Sequence, residues 1–132
     1  MAACITFTCS GCGFSVDSWD DGNPYIEAPN RHRYHFYHPC ESGQIKDIIA
    51  KILGHTPTQS EIDMMLEEFS GNESDYICRD CLKFTKRNEE IDELRCGSCG
   101  SANIQRTHEL GGILCPSCGK AKFDEGHMTA IS

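Results

Sequence analysis

Residues 78–99 read CRDCLKFTKRNEEIDELRCGSC, a stretch that begins and ends with a Cys-x-x-Cys pair. Two residues between the cysteines of a pair let a tight turn direct both sulfurs at one metal ion, while backbone N–H groups donate to the sulfurs. The 14 residues between the two pairs are close to the usual separation of paired zinc ligands. The segment therefore predicts a metal site around which the chain is organised.

The same spacing recurs toward both ends of the chain, so that 132 residues contain four such pairs. The pairs are Cys9 with Cys12, Cys78 with Cys81, Cys96 with Cys99, and Cys115 with Cys118. Tetrahedral zinc takes four ligands, so four pairs complete two sites. The last two pairs are separated by 15 residues, which is as acceptable as 14, and spacing alone leaves three combinations of pairs open.

The composition favours metal ions over disulfide bonds. The chain has ten cysteines and one Trp, and its hydrophobic fraction of 39% is low for a well-filled core. Cross-links, either disulfide bonds or bound metal ions, must therefore help to stabilise the fold. Residues 1–10 lack a basic start and an apolar run of signal-peptide length, and no apolar stretch approaches the roughly 20 residues of a membrane-spanning helix. We therefore expect reduced thiolates, two bound Zn²⁺ ions, no membrane association and a cytoplasmic location.

The net charge of the chain is −8, from 12 Lys+Arg and 20 Asp+Glu. Two tetrathiolate zinc sites would add about four negative charges, because each sets four anions against one dication. Phosphate repels such a protein, so nucleic acid and anionic lipid are disfavoured as partners. We expect the partner to be another protein.

The N-terminal part of the chain reads as strands. Residues 5–19 predict two short strands around the first cysteine pair, and residues 20–24 (DDGNP) predict a turn. Residues 31–38 (RHRYHFYH) alternate and are rich in aromatic side chains, which predicts a strand that Pro39 ends.

Residues 42–70 have the periodicity of two helices. Ser42 is the expected N-cap of the first helix, and Gly54 its stop. Residues 56–59 (TPTQ) match a capping box with Pro at the first position of the second helix, which Gly71 is expected to end. The expected apolar faces are Ile45, Ile48, Ile49 and Ile52 in the first helix and Ile62, Met65, Leu66 and Phe69 in the second.

From Tyr76 onward the pattern changes to short strands between cysteine pairs. The predicted strands are residues 82–86, 94–96, 104–107 and 113–115. The tail after Gly126 (HMTAIS) is short and weakly patterned, so we expect it to be loose.

Two segments resemble the iron-binding knuckles of rubredoxins. Residues 7–17 (FTCSGCGFSVD) look like the first knuckle. Residues 113–125 (ILCPSCGKAKFDE) look like the second, in which a CPxCG knuckle is followed by a stretch similar to Lys120–Phe123. The resemblance covers about two dozen residues, and its motif is shared by many zinc ribbons.

This resemblance implies how the pairs combine. Cys9, Cys12, Cys115 and Cys118 would form an outer site, and Cys78, Cys81, Cys96 and Cys99 would form an inner zinc ribbon nested inside it. About a hundred residues stand where a rubredoxin has a few dozen, so we expect zinc, with iron as the alternative in the outer site.

The expected fold is a small α+β protein: a zinc-ribbon or rubredoxin-like β module with a helical-hairpin insertion and two tetrathiolate metal sites. We expect one metal-stabilised domain over residues 1–132. Its expected parts are an outer knuckle module at residues 1–41 and 100–132, the insertion at 42–70 and the inner ribbon at 76–99.

Other cysteines and histidines have structural interpretations that we favour. Cys40 with His38 is an alternative ligand set for the first pair, but four pairs already complete two sites, and Cys4 is expected to be a spectator thiol. On an alternating strand His32 and His38 face one way and His35 the other, so these three side chains do not converge on one metal.

The segment 31–38 also mixes cations with aromatic rings, as some single-strand nucleic-acid surfaces do. A strand that covers a small core has the same composition, and we favour that interpretation. It remains the candidate binding surface outside the helices, formed by Arg31, Arg33, Tyr34, His35 and Tyr37.

No catalytic set is present in the sequence. The chain has no Gly-rich phosphate loop, no HExxH and no HxE…PCxxC arrangement, and a four-thiolate site leaves no open position on its metal. We expect a non-enzymatic zinc-binding protein that acts as a protein–protein interaction or regulatory module, through strand 31–38 or the acidic insertion. Residues 41–75 hold eight acidic and two basic residues. The alternatives are a rubredoxin-like iron electron carrier and a nucleic-acid-binding zinc ribbon.

Overall fold

The computed structural model describes residues 2–19, 22–37 and 41–131. The chain divides into a cysteine unit, residues 1–22 and 74–132, and a helical unit, Asn23–Glu73. In chain order the elements are β1 (Ala2–Thr8), β2 (Ser15–Trp19), β3 (Asn23–Glu27), β4 (Arg33–His35), α1 (Glu41–Leu53), α2 (Gln59–Glu68), β5 (Ser70–Cys78), β6 (Phe84–Arg87), β7 (Ile104–Arg106), a 3-10 helix (Thr107–Glu109) and β8 (His127–Ile131). Two helices and antiparallel strands in the described residues confirm the predicted α+β class.

The first sheet of the cysteine unit joins the two ends of the chain. β1 lies between β2 and β8 and is antiparallel to both. The two strands predicted around the first cysteine pair are confirmed. The loose tail predicted after Gly126 is wrong, because residues 127–131 pair with residues 2–6. Gly126 has a φ of +93°, and a Cβ atom there would lie 2.6 Å from Cγ2 of Ile5, so only glycine fits this turn without strain.

The second sheet of the cysteine unit is built on the later part of β5. Residues 74–78 pair with β6 on one side and with β7 on the other, both antiparallel. These strands confirm the predictions for residues 82–86 and 104–107, within one or two residues at each end.

Two further strand predictions in this unit are wrong. Residues 94–96 form no strand, and in the segment 113–115 only Leu114 makes an isolated bridge, with Lys122. Both segments lead into a cysteine pair. The N–H of Cys96 donates within its own turn, to the carbonyl of Ser101 at 2.8 Å, so it does not extend a ladder.

The core of the cysteine unit is an apolar cluster that includes two cysteines. Its buried members are Phe7, Val16, Ile77, Leu110 and Phe123, together with Cys9 and Cys115. Burial of side chains of this kind is worth about 1.5–3 kcal/mol each. Two cysteines from different Cys-x-x-Cys pairs therefore form part of the core of this unit.

The helices of the helical unit bury the face that their periodicity predicts. Ile49 and Met65 are buried with Ile26 of β3. The predicted residues Ile45, Ile48, Ile52, Ile62 and Leu66 pack around them. Phe69 is the exception, since it follows the end of α2 and is 41% exposed. The N–H of Gly54 donates to the carbonyl of Ala50 at 2.8 Å, which confirms the predicted end of α1.

The predicted helix caps are wrong in detail. Ser42 lies inside α1. The capping box of α2 begins two residues later than predicted, at Thr58, whose Oγ1 accepts from the N–H of Glu61 at 3.2 Å. The Glu61 carboxylate in turn accepts from the N–H of Thr58 at 2.9 Å. An ionised carboxylate makes the stronger reciprocal bond, which favours Glu61 over Gln59 as the third helical residue. Gly71 lies in β5 and does not end α2.

A small sheet completes the helical unit. β3 pairs with β4 and with residues 70–73 of β5. The turn predicted at residues 20–24 is wrong in its last part, because Asn23 begins β3. Residues 20 and 21 lie outside the described residues.

The strand predicted at residues 31–38 is only partly correct. β4 comprises three residues, because Arg31 has a φ of 71° in a turn where its N–H donates to the carbonyl of Ala28 at 2.9 Å. His38 and Pro39 lie outside the described residues. The insertion predicted at 42–70 lies within the helical unit, which also contains β3 and β4. Neither helix in the described part of the chain has the length and apolar character that crossing a membrane requires.

Candidate metal centres

The four cysteine pairs meet in two groups of four. The outer cluster consists of Cys9, Cys12, Cys115 and Cys118, and the inner cluster of Cys78, Cys81, Cys96 and Cys99. Within each cluster the four Sγ atoms all lie within 4.8 Å of one another. This is the nested arrangement that the resemblance to rubredoxins implied, and one of the three that spacing left open.

The sulfur–sulfur distances fit a single four-coordinate ion in each cluster. Two of the six distances in the outer cluster are 3.7 Å for Cys9–Cys118 and 3.8 Å for Cys12–Cys115, and two in the inner cluster are 3.5 Å for Cys78–Cys99 and 3.6 Å for Cys81–Cys96. A tetrahedron with zinc–sulfur bonds of about 2.3 Å has edges of about 3.8 Å, whereas a disulfide brings its sulfurs to about 2.05 Å. Each cluster could hold one soft metal cation, and neither contains a disulfide.

Each cysteine pair sits in the same backbone turn, which we call a knuckle. The carbonyl of its first cysteine accepts a hydrogen bond of 2.8–3.1 Å from the N–H four residues later. The N–H of that cysteine donates to a carbonyl five or six residues later. The residue that closes the turn has a positive φ in all four knuckles: 79° at Gly13, 65° at Leu82, 74° at Gly100 and 66° at Gly119. Of these four residues, only Leu82 has a side chain.

Backbone N–H groups of the knuckles also point at the sulfurs. The Sγ atom of Cys9 accepts from Gly11 at 3.4 Å and from Cys12 at 3.5 Å. In the inner cluster Cys96 accepts from Ser98 at 3.3 Å. Hydrogen bonds of this kind stabilise the thiolate, which is the form that binds a metal.

These N–H groups make one thiol in each cluster acidic. The N–H groups of Cys99 and Ser98 lower the pKa of Cys96 to about 6. The N–H groups of Lys120 and Ala121 lower the pKa of Cys118 to about 6. Both side chains are therefore largely ionised at neutral pH.

Another thiol in each cluster holds its proton strongly. The N–H of Ser101 lowers the pKa of Cys99, but the thiol of Cys78, the loss of water around the sulfur and further thiols outweigh it and raise the pKa to about 12. The N–H of Phe14 likewise lowers the pKa of Cys12. The loss of water around that sulfur and three neighbouring thiols outweigh this effect and raise the pKa to about 11. Four sulfurs this close do not all lose their protons without a cation among them, and a bound dication would supply that charge.

The two clusters differ in their surroundings. Cys9 and Cys115 belong to the apolar core of the cysteine unit, and Cys118 packs against it. The corresponding inner residues, Cys78 and Cys96, are 0% and 4% exposed but belong to neither apolar cluster of the described chain. The second cysteines of the knuckles are less buried than the first, and Cys12 and Cys99 are exposed.

Polar contacts connect the two knuckles of the inner cluster. The carboxylate of Asp80 accepts hydrogen bonds from the hydroxyl of Ser101 and from Nδ2 of Asn103. These bonds hold the pKa of Asp80 below its ordinary value. The N–H of Gly97 donates to Oγ1 of Thr85 at 2.8 Å, which ties the second knuckle to β6.

Two side chains of the candidate surface of residues 31–38, Arg33 and His35, are engaged within the helical unit. Nη1 of Arg33 donates to the Glu73 carboxylate at 2.8 Å, and Nε donates to Glu27 at 3.2 Å. His35 contacts the other oxygen of Glu73, whose side chain is only 7% exposed. Glu73 was missed by sequence reasoning, because nothing in its neighbourhood distinguishes it from a surface carboxylate.

The remaining candidate residues face outward to different degrees. Arg31 and Tyr37 are exposed, and Tyr34 is half-buried. The Tyr34 ring has Nζ of Lys51 at 5.3 Å on one side and the His32 ring at 4.4 Å. His32 and His35 therefore point to different neighbours, as alternation predicts, and His38 lies outside the described residues.

Of the two cysteines outside the pairs, the structure describes only Cys4, which enters neither cluster. Cys4 lies on β1, and burial and the charge of Asp17 raise the pKa of its thiol. Cys40 lies outside the described residues. Leu82 is the residue that sequence reasoning should have noticed, because it follows its pair directly where the other three pairs are followed by glycine.

Comparison of the chain with protein-family models, with curated proteins and with solved structures finds no match.

Proposed function

We propose that this chain is a non-enzymatic zinc protein whose two tetrathiolate sites hold its fold together. The observation that carries the proposal is the pair of four-sulfur clusters, formed by residues far apart in the chain, in which all sulfurs lie within 4.8 Å of one another and two distances in each cluster are 3.5–3.8 Å. A four-thiolate site has no free coordination position for a substrate, so its role is structural. A structural zinc ion contributes about 10–16 kcal/mol to the folding of a small domain.

Metal content and colour test this proposal directly. Protein purified without added metal should contain two zinc ions per chain and be colourless, since zinc has a filled d shell. Removal of the metal by a chelator should abolish the folded circular dichroism spectrum. Visible absorbance from a ferric tetrathiolate would support an iron electron carrier instead. A spectrum that survives metal removal, or oxidation of the eight sulfurs to disulfides, would contradict both.

The function of the folded protein is, in this proposal, to bind another protein in a reducing compartment such as the cytoplasm. The acidic face of α2 supports this: Asp63, Glu67 and Glu68 are exposed, and Met64 among them is 43% exposed. Such a surface favours a partner with basic and apolar side chains. Strand 31–38 is a weaker candidate, since Arg33 and His35 are engaged by Glu73.

Partner capture with matched variants tests the proposed surface. A variant with Met64→Ser, Glu67→Gln and Glu68→Gln should lose proteins that the wild-type chain retains. Arg31→Gln with Tyr37→Ser alters exposed residues of strand 31–38 and should retain them. The opposite result would indicate that the interface lies on the segment 31–38 and not on α2. Retention by single-stranded nucleic acid that weakens steeply with salt would favour the nucleic-acid-binding alternative.

A further inference from the structure

Leu82 occupies a backbone conformation that glycine occupies in the other three knuckles. Its φ is 65°, and its N–H donates to the carbonyl of Cys78 at 2.9 Å to close the turn. In this region the Cβ atom of an L-residue crowds the backbone, which disfavours the conformation by a factor of about 5 to 30. Both knuckles of the outer cluster have glycine at this place, Gly13 and Gly119.

In the inner cluster, binding of a metal ion requires the strained backbone conformation of Leu82. The turn that Leu82 closes brings the sulfurs of Cys78 and Cys81 to the same ion. When the ion leaves, only the backbone hydrogen bonds from the N–H groups of Leu82 and Cys78 hold the turn, and relaxation to a negative φ becomes easier. The strain therefore opposes metal binding, because folding of a small metal site and binding of its ion are one equilibrium.

The packing around the two clusters also indicates that the inner cluster opens more easily than the outer one. The sulfurs of Cys9 and Cys115 are packed in the apolar core with Phe7, Val16 and Phe123, so loss of the outer metal would disturb that core. Among the described residues, Cys78 and Cys96 are buried but belong to neither apolar cluster, and three apolar side chains between the two inner knuckles are exposed. Phe84 is 57% exposed, Ile91 67% and Leu94 41%. Opening of the inner cluster therefore exposes less new apolar surface.

We infer that the inner cluster is the exchangeable metal site of this protein and the outer cluster the permanent one. The inference rests on the proposed function, since both clusters must bind metal. The inner cluster then fills and empties with the concentration of available soft divalent cation, while the outer cluster keeps the chain ends joined. The chain would thus respond to zinc supply without unfolding as a whole.

The test uses the full-length, zinc-loaded chain and a chromophoric zinc chelator, 4-(2-pyridylazo)resorcinol, added in steps. N-ethylmaleimide labels the sulfurs that lose their metal, and mass spectrometry identifies them. Cys4 lies outside both clusters, so its labelling does not depend on the metal. Among the eight cluster cysteines, labelling should appear first at the four inner ones, with release of half of the zinc, while the outer ones remain protected.

Three variants separate backbone strain from other effects of position 82. Leu82→Gly should raise zinc affinity at the inner cluster by about 5- to 30-fold and leave the outer cluster unchanged. Leu82→Ala removes the same side chain but keeps a Cβ atom, so it should not raise that affinity. Gly119→Ala puts equivalent strain into the outer cluster, where a Cβ atom would meet nothing within 4 Å, and should weaken that cluster by a similar factor.

The outcomes distinguish this inference from the proposal on which it rests. A chain that binds no metal overturns both. A chain that binds two zinc ions but is labelled first at the outer cysteines overturns only the inference. Equal gains for Leu82→Gly and Leu82→Ala would show that backbone strain is not the cause and would also overturn it. The order of labelling in the wild-type chain decides the question even if a variant fails to fold.

Discussion

The Sγ atom of Cys9 lies 3.7 Å from the Sγ atom of Cys118, although 109 positions separate the two residues in the chain. The same ends of the chain are joined a second time by the pairing of β1 with β8. Closing a loop of this length has a large entropic cost in the unfolded chain, which an ion shared by both ends would offset. An ion in the outer cluster would therefore hold the two ends of the cysteine unit together.

The number of zinc ions that cysteine variants bind should show which cysteines share a cluster. Cys9→Ser should reduce the zinc content to one ion per chain, and adding Cys115→Ser should leave it at one, because both residues belong to the same cluster. Cys9→Ser with Cys78→Ser should leave no zinc. Native mass spectrometry measures the number of ions. Cys4→Ser is the control and should keep both, since Cys4 belongs to neither cluster. One ion in the Cys9→Ser, Cys78→Ser variant would contradict the nested grouping.

Glu73→Gln should destabilise the protein by about 2–4 kcal/mol, because it leaves the guanidinium of Arg33 without its buried counter-charge. Urea unfolding monitored by circular dichroism at neutral pH measures this loss. Glu67→Gln removes the same charge from an exposed position and should change the free energy of unfolding by less than about 0.5 kcal/mol. Equal effects of the two variants would show that the contacts of Glu73 contribute nothing.

Glu61 should titrate at a pH below that of an ordinary glutamate. The N–H of Thr58, which donates to its carboxylate, lowers its pKa, and His55 adds to this. Because folding lowers this pKa, the stabilisation is complete above the unfolded value of about 4.3 and is lost as pH falls through the folded value. NMR of the carboxyl carbon measures the midpoint.

A variant tests the cause of that shift. Thr58→Ala removes the hydroxyl half of the capping box and loosens the N-terminus of α2, at a cost of about 1 kcal/mol. The midpoint of Glu61 should then move up toward the ordinary value. An unchanged midpoint would mean that the Thr58 hydroxyl does not contribute to the pKa. His55→Ala should give a larger upward shift, since Thr58→Ala keeps the backbone N–H that is the largest contribution and the His55 hydrogen bond is the second.

Gly126→Ala should destabilise the protein by about 2–5 kcal/mol. It adds backbone strain at a φ of +93° and a Cβ atom 2.6 Å from Ile5, where the chain turns into β8. Gly112→Ala is the matched control, since its φ is +78° but a Cβ atom there meets nothing within 4 Å; it should cost only about 1–2 kcal/mol. Thermal unfolding measures both. Equal losses would contradict the close packing of Gly126 against β1.

Local patterns predicted those parts of the fold that depend on neighbouring residues. The isoleucines of α1 mark a buried face because residues three and four apart meet on one side of a helix. The capping box was misplaced by two residues, since Thr56 and Thr58 offer the same hydroxyl and only the following Glu61 decides between them. Boundaries of this kind depend on single hydrogen bonds, which periodicity does not resolve.

Strands were predicted less well, because a strand forms only where a partner accepts it. Residues 127–131 have no strong β pattern, yet they pair with β1. Residues 94–96 have the apolar character of a strand but lead into a knuckle whose turn takes the hydrogen bond of Cys96. Strand pairing depends on contacts between residues far apart in the chain, and the sequence of a short segment does not predict those contacts.

By itself, the sequence determined that four knuckles form, because a Cys-x-x-Cys turn is closed by residues within six positions of its first cysteine, and it predicted that they could hold metal ions. It determined the two helices for the same reason, since a helix is stabilised by contacts within one turn. Only the tertiary structure decided which knuckles share a cluster, because separations of 14 and 15 residues are equally acceptable and the choice depends on contacts between distant parts of the chain. It also decided the partner of Glu73, since a buried charge finds its counter-charge only when distant strands meet.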